Sequence, residues 1–304
     1  MKIQKSKIKI LASAGLILTA LIWGFAFVIV KNSLDLIPPV YMLAFRFTIA
    51  TIGLGIIFYK RRIKLNKENV KAGLILGILI FISYLLQTIG CVYTTAGKNA
   101  FITTIYVVIV PFLYWIISKT RPDIYCVAAA FMAIIGIGLL SLNGDKSINI
   151  GDILTLISGF GYAIHMVFIS KFSQEQDTVV LTFLQILVAA ILSWITAPIM
   201  DGGFPIAITQ PDMLVGMFYL GIGSTMICFL LQNICQKYIE PSTAALLLSG
   251  ESVFGVAFSV LFLGESLTLK MVVGCTLILA AVIMAETKFE FIKLTLKKRS
   301  TNHA

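Results

Sequence analysis

One carboxylate, one guanidinium and one imidazole lie deep inside apolar stretches of this chain: Glu251, Arg46 and His165. An ionised side chain in hydrocarbon is costly unless it is paired, neutralised or facing water. Glu251 falls near the middle of IEPSTAALLLSGESVFGVAFSVLFLGE, residues 239–265. It therefore has either a partner or a task. The task would be proton coupling, in which the carboxyl loads and releases a proton; the alternative is a neutral carboxyl hydrogen-bonded to another helix. Arg46 has a structural reading, as glue between helices, and a binding one, holding the carboxylate of a solute; its long side chain can also snorkel outward or pair with an acid such as Glu251.

Other polar side chains share these apolar stretches. Gln87, Gln232 and Asn233 offer amides, which both donate and accept, and so suit the wall of a path for a polar solute. Tyr162 and His165 can hydrogen-bond a solute or hold neighbouring helices together. Trp23, Phe27, Tyr84 and Tyr106 are candidates for an aromatic wall. Lys98-Asn99 reads as an interfacial pair or as a mouth that attracts anions, and Glu265, near Lys270, reads as a cap or an ion-pair partner. A phosphate-binding loop is missing from the sequence, which argues against an ATP-driven pump in a single chain. Paired aspartates, a serine with a base and a metal-ligand cluster are missing too, which argues against a membrane-embedded enzyme. No cofactor or metal is expected.

Hydrophobic residues make up 59% of the 304 and charged residues only 12%, about half the charge of an ordinary soluble domain. Ten runs approach the roughly 20 residues a bilayer-crossing helix needs: 10–30, 38–59, 72–93, 99–118, 122–142, 152–170, 179–199, 212–236, 241–262 and 268–287. Short polar or helix-breaking segments separate them, among them Pro38-Pro39, Arg121-Pro122, Asn143-Gly144-Asp145, Gly202-Gly203, Pro211 and Pro241. The expectation is an all-α integral membrane protein of ten transmembrane helices. The basic start MKIQKSKIKI resembles a secretory signal, but the apolar run after it is long and lacks a small-residue cleavage site, so it reads as the first span. Five cysteines within the spans behave as small apolar residues. The net charge of +10 reflects topology and not nucleic-acid binding. With the N-terminus inside, only Lys31, Lys98, Lys146 and Lys270 fall in outer loops, while nineteen of the 24 Lys and Arg fall on the inner side. That bias puts both termini in the cytoplasm of a cell (plasma or inner) membrane protein.

Shifting the chain against itself by 145 residues sets SYLLQTIGCVYTTAGKNA (83–100) on CFLLQNICQKYIEPSTAA (228–245), so that Gln87 meets Gln232. Ile17-Leu18-Thr19 likewise echoes Ile153-Leu154-Thr155. Two repeats follow, 10–142 and 152–287, flanked by a tail at 1–9 and a basic tail at 288–304. Five spans per repeat make the second enter from the opposite side, an inverted repeat that puts its site between the halves near the midplane. Small-residue pairs such as Gly73 with Gly77 and Gly159 with Gly161 predict close packing within the chain, a dimer seam being the other reading.

These residues resemble the drug/metabolite transporter superfamily, and within it the EamA-type transporters of ten helices. The likeness rests on Trp23-Gly24-Phe25, Arg46-Phe47, Val110-Pro111, Ala244-Ala245-Leu246-Leu247, Glu251-Ser252, Leu263-Gly264-Glu265 with Leu267, and Gly274 with Leu277-Ile278-Leu279. It implies a secondary transporter, an exporter or exchanger of small metabolites with amino acids foremost, working by alternating access as a monomer or weak homodimer. Protons are the candidate coupling ion. A carrier of lipid-linked or nucleotide-linked sugars is the alternative within transport, and a membrane-embedded enzyme or a non-transporting sensor the alternative outside it. Where the family pattern has Pro after the acidic residue, this chain has Ser252, which keeps an N–H in the helix ladder and predicts a straighter ninth span.

Overall fold

A computed structural model of the chain describes residues 2–61, 65–119, 121–141 and 149–287. Every regular element among them is helical, the form in which a segment in lipid satisfies its own backbone hydrogen bonds. In chain order these are α1 (Lys2–Ser33), α2 (Pro39–Arg61), α3 (Lys67–Tyr93), α4 (Ala96–Thr103), α5 (Tyr106–Ser118), α6 (Ile124–Ser141), α7 (Ile150–Glu175) and α8 (Thr178–Met200). A short 3₁₀ turn (Ile206–Thr209) leads to α9 (Pro211–Phe218), a π-helical stretch (Tyr219–Ile227), α10 (Cys228–Gln236), α11 (Pro241–Leu248), α12 (Gly250–Leu263) and α13 (Leu269–Thr287).

Among the described residues eight stretches are long and apolar enough to cross a membrane: Lys7–Ser33, Pro39–Lys60, Lys67–Tyr93, Ala96–Ser118, Ile150–Glu175, Thr178–Met200, Pro211–Gln236 and Pro241–Leu263. The fifth and tenth places of the expected ten hold shorter apolar stretches, Val127–Gly136 and Leu269–Ala281. α1 begins at Lys2, so the backbone read as an N-terminal tail is already helical. The expected break at 143–145 and the basic tail at 288–304 lie outside the described residues.

Sequence-local chemistry sets the helix ends. Proline, whose missing N–H has no intrahelical partner at a helix start, opens α2, α9 and α11. Side-chain oxygens of Asn66, Thr95, Asn149 and Asp177 accept first-turn N–H groups of α3, α4, α7 and α8. Gly264, at φ 67°, closes α12 in the left-handed conformation that glycine adopts without penalty.

The halves pack through each other. α1 lies against α12, α10 and α11 of the second half, while α7 lies against α3, α5 and α4 of the first; α2 pairs with α8, and α6 with α13. Close approach at these seams needs glycine. A Cβ on Gly24 of α1 would strike the α12 backbone, and one on Gly161 of α7 would strike Ser83 of α3. A Cβ on Gly73 or Gly77 would strike side chains of α8, so these small residues pack within the chain.

Charged side chains tie one end of the bundle together, two of them across the halves. Glu265 accepts from the N–H groups of Ala96 (2.9 Å) and Gly97, at the start of α4, and Asp201 accepts from Val40 (2.7 Å) and Tyr41 (2.9 Å), at the start of α2. Lys31 donates to the carbonyls of Cys91 (2.9 Å) and Thr94 (2.8 Å) at the end of α3. Each charge sits at the helix end whose orphan groups and dipole it complements. Glu265 is thus a cap, one of its two expected roles. At the other end Asn69 bonds Gln176 across the halves, and Gln236 donates to the carbonyl of Met166 (3.1 Å) within the second.

Candidate functional site

Two spans are interrupted midway. The fourth breaks after Thr103, where Thr104 and Ile105 bond three residues back to Phe101 (3.2 Å) and Ile102 (3.1 Å). The ninth breaks at Ser249, whose hydroxyl takes the carbonyl of Leu246 (2.7 Å) while Ser252 bonds back to Ser249 through both N–H (3.1 Å) and hydroxyl (2.7 Å). The N–H that Ser252 keeps is used, but it reaches three residues back and not four. Serine hydroxyls compete for the carbonyls that the ladder would use, and the turn tightens without proline. Adding 145 to the bounds of α4 gives those of α11, so the two breaks are equivalent positions of the two halves.

Between the breaks lies a cavity that leaves about 50 Å³ for the centres of water-sized molecules, the room of a few waters. A solute of more than a few heavy atoms needs this space to widen. On α1 its lining runs from Trp23 through Phe27 to Val30, and on α3 from Tyr84 through Gln87 to Cys91, toward the Lys31 end of the bundle. The opposite end is packed with apolar side chains, among them Leu16, Val107, Val110, Cys235 and Leu246 to Leu248.

The structure brings together nearly all of the side chains singled out from the sequence. Trp23, Phe27, Arg46, Tyr84, Gln87, Tyr106, Tyr162, His165, Gln232 and Glu251 all line the cavity. Asn233 does not. It is one residue, and hence about 100° of helix, beyond Gln232, and its amide turns back to the carbonyl of Phe229 (2.7 Å).

Arg46 is 2% exposed, does not snorkel, and pairs with no acid among the described residues. Its Nε and one terminal nitrogen donate to Thr225 Oγ1 and Ser224 Oγ, both at 3.1 Å, and its guanidinium carbon lies 4.5 Å from the centre of the Tyr84 ring. Ser224 and Thr225 belong to the π-helical stretch, a form that recurs at functional sites. The Ser224 carbonyl also accepts from the Trp23 indole (2.7 Å), and Thr225 Oγ1 donates to the carbonyl of Leu220, five residues back (2.7 Å). This unusual turn thus seats both the guanidinium and the indole.

Glu251 is 4% exposed and accepts from the Tyr106 hydroxyl at 2.8 Å. Among the described residues it forms no ion pair, with Arg46 or any other cation, so two buried groups of opposite charge type face one cavity without joining. Around them Trp23 and Phe229 stand 5.4 Å apart, and the Tyr84 and Tyr162 rings meet edge to face at 5.4 Å.

Polar links continue on the α3 side. Tyr162 donates to Gln87 Oε1 (2.9 Å), Gln87 Nε2 to Thr103 (2.9 Å), and Asn99 Nδ2 to Thr155 (2.8 Å) and to the carbonyl of Gln87 (3.1 Å). His165 shares a hydrogen bond with Gln185 (2.8 Å). Two buried oxygens in the lining, Asn99 Oδ1 and Gln232 Oε1, have no hydrogen-bond partner, the condition a polar solute or water relieves. The sequence pointed to Asn99 only as part of a mouth, and to Thr88, Thr103, Ser224 and Phe229 not at all. Ser and Thr within apolar runs read as ordinary helix residues. Among the described residues no cluster of His, Cys, Asp or Glu is arranged to hold a metal.

The family model described as EamA-like transporter family matches residues 10–142 and again 149–287. An uncharacterized transporter of Archaeoglobus fulgidus is 35% identical over 280 residues, spanning 92% of this chain and 87% of the relative. The uncharacterized transporter YoaV of Bacillus subtilis is 24% identical over 281 residues, 89% of this chain and 94% of its own. A solved crystal structure superposes with a TM-score of 0.72 at 18% identity, covering 90% of this chain and 96% of that one, a likeness of fold alone.

Proposed function

The chain belongs to the EamA-like transporter family and is a multi-pass membrane protein, and from that premise we propose that it is a secondary transporter of small metabolites, amino acids foremost, acting as exporter or exchanger. The observation that carries the substrate class is the pairing of opposites around the cavity. Arg46 offers a guanidinium and Glu251 a carboxyl, neither ion-paired among the described residues. A small zwitterion complements both, its carboxylate toward Arg46 and its ammonium toward Glu251. The unpartnered oxygens of Asn99 and Gln232 add acceptors for the ammonium, and Trp23, Tyr84, Tyr106 and Tyr162 supply an amphipathic wall.

In this reading the division into repeats at 10–142 and 152–287 is that of two inverted halves of five helices each, with both termini cytoplasmic and α6 and α13 as the fifth and tenth membrane helices. Reciprocal packing of the halves supports it. The Lys31 end then faces outward, and the structure is the state whose cavity leans outward while the inner end is packed. Gln87, His165 and Gln232 bind the solute's polar edges, and Glu251 carries the coupling proton. The direct test is exchange of radiolabelled amino acids by the purified protein in liposomes. Exchange of at least one amino acid that is competed by its unlabelled form is expected. No exchange across the full set, with movement of a lipid-linked sugar instead, would replace this reading.

A further inference from the structure

Tyr106 and Glu251 hold the same place in the two halves. They are separated by 145 residues, the shift that sets Gln87 on Gln232 and α4 on α11. Tyr106 opens α5 after the break at Thr104 and Ile105; Glu251 lies in the first turn of α12 after the break at Ser249. Equivalent residues of two exchange-related halves meet only where the relating axis passes, and these two meet there as a hydroxyl donating to a carboxyl oxygen at 2.8 Å. The unlike pair makes one directed contact, with Tyr106 as donor and Glu251 as acceptor.

The same two breaks are where the chain can bend. Val107 bonds back only three residues to Thr104 (3.0 Å) and Ser252 only three to Ser249 (3.1 Å), so each half-helix is joined to its partner through a tightened turn. α5 also carries Val107 and Val110 into the apolar cluster that closes the far end of the bundle, where Cys235 of α10 is packed.

We propose that the Tyr106–Glu251 bond is a latch between the two mid-membrane breaks, and that the far end opens only when this bond parts and lets α5 and α12 swing. The inference rests on the transporter reading, but its test needs no substrate. In the purified full-length protein in detergent, Cys235 is left as the reporter and Cys91, Cys126, Cys228 and Cys275 are replaced by alanine; a second version keeps Cys228 alone, a wholly buried thiol at the start of α10. Tyr106→Phe keeps the ring and removes the hydroxyl. It should raise the rate at which N-ethylmaleimide modifies Cys235 by about threefold to tenfold, the shift that loss of one hydrogen bond produces, and leave Cys228 unchanged. On a Glu251→Ala background the same substitution should add nothing further. An unchanged Cys235 rate, an equal rise at Cys228, or an undiminished Tyr106→Phe effect without Glu251 would each overturn the latch. Failure of the transporter reading would show separately, in the liposome exchange assay.

Discussion

The Arg46 guanidinium lies 4.5 Å from the centre of the Tyr84 ring and donates to two hydroxyls, those of Ser224 and Thr225. Among the described residues this buried cation is held by neutral groups, which leaves it a demand for an anion. Its replacement therefore separates a structural role from a binding role.

Arg46→Met removes that charge and keeps an apolar stem. Replacing buried charge by apolar groups of similar volume is commonly neutral or stabilising, so the unfolding temperature in detergent should hold or rise, with stability within about 1 kcal/mol of the parent. Exchange of a carboxylate-bearing solute should nevertheless fall by about tenfold or more, the worth of one hydrogen bond to a charged group. A loss of stability above about 3 kcal/mol would instead make Arg46 a strut.

Glu251→Gln keeps an acceptor for Tyr106 and removes the ionisable group. If Glu251 carries the coupling proton, uphill accumulation driven by a pH gradient disappears while exchange of labelled for unlabelled solute persists, lowered only by the lost contact with the ammonium, because exchange needs no net proton movement. Accumulation equal to the parent's would remove Glu251 from the coupling step. Both assays use the same proteoliposomes and differ only in the imposed gradient.

How far the sequence discloses this arrangement depends on the signal each residue leaves. The apolar runs and the 145-residue echo are long patterns, and they place Gln87, Gln232 and Glu251 on spans that the structure brings to one cavity. The breaks at Thr104 and Ser249 are another matter, because in an apolar run a hydroxyl that will tighten a turn reads the same as one that bonds within a regular helix. The π-helical stretch Tyr219–Ile227 has no signature of its own, so Ser224 and Thr225 could not be named as the seat of Arg46. Asn233 was drawn toward the site by its neighbour, though adjacent helix positions face different directions.

Glu265 caps α4 from across the two halves, and its removal should cost stability without touching the cavity. Glu265→Ala leaves the first N–H groups of α4 without their carboxylate and should destabilise the protein by about 1–2 kcal/mol. Glu265→Gln, which keeps an acceptor but loses the charge, should recover part of that loss. Substrate affinity should stay at the parent value in both. A large change in affinity at unchanged unfolding temperature would contradict the assignment of Glu265 as a cap.

Two glycines of the apolar runs should respond oppositely to the same added methyl group. A Cβ on Gly24 would meet the backbone of α12 at Phe254 and Gly255, which cannot give way as a side-chain tip can. Gly24→Ala should therefore force α1 and α12 apart and destabilise by about 1–3 kcal/mol, the usual cost of overpacking. Around Gly138 of α6 a Cβ meets no described residue within 4 Å, and alanine there improves helix propensity. Gly138→Ala should be neutral or stabilise by up to about 1 kcal/mol. Thermal unfolding of the two variants in one detergent measures the difference directly. Equal behaviour would mean that the α1–α12 seam is looser than the packing of Gly24 on Phe254 requires.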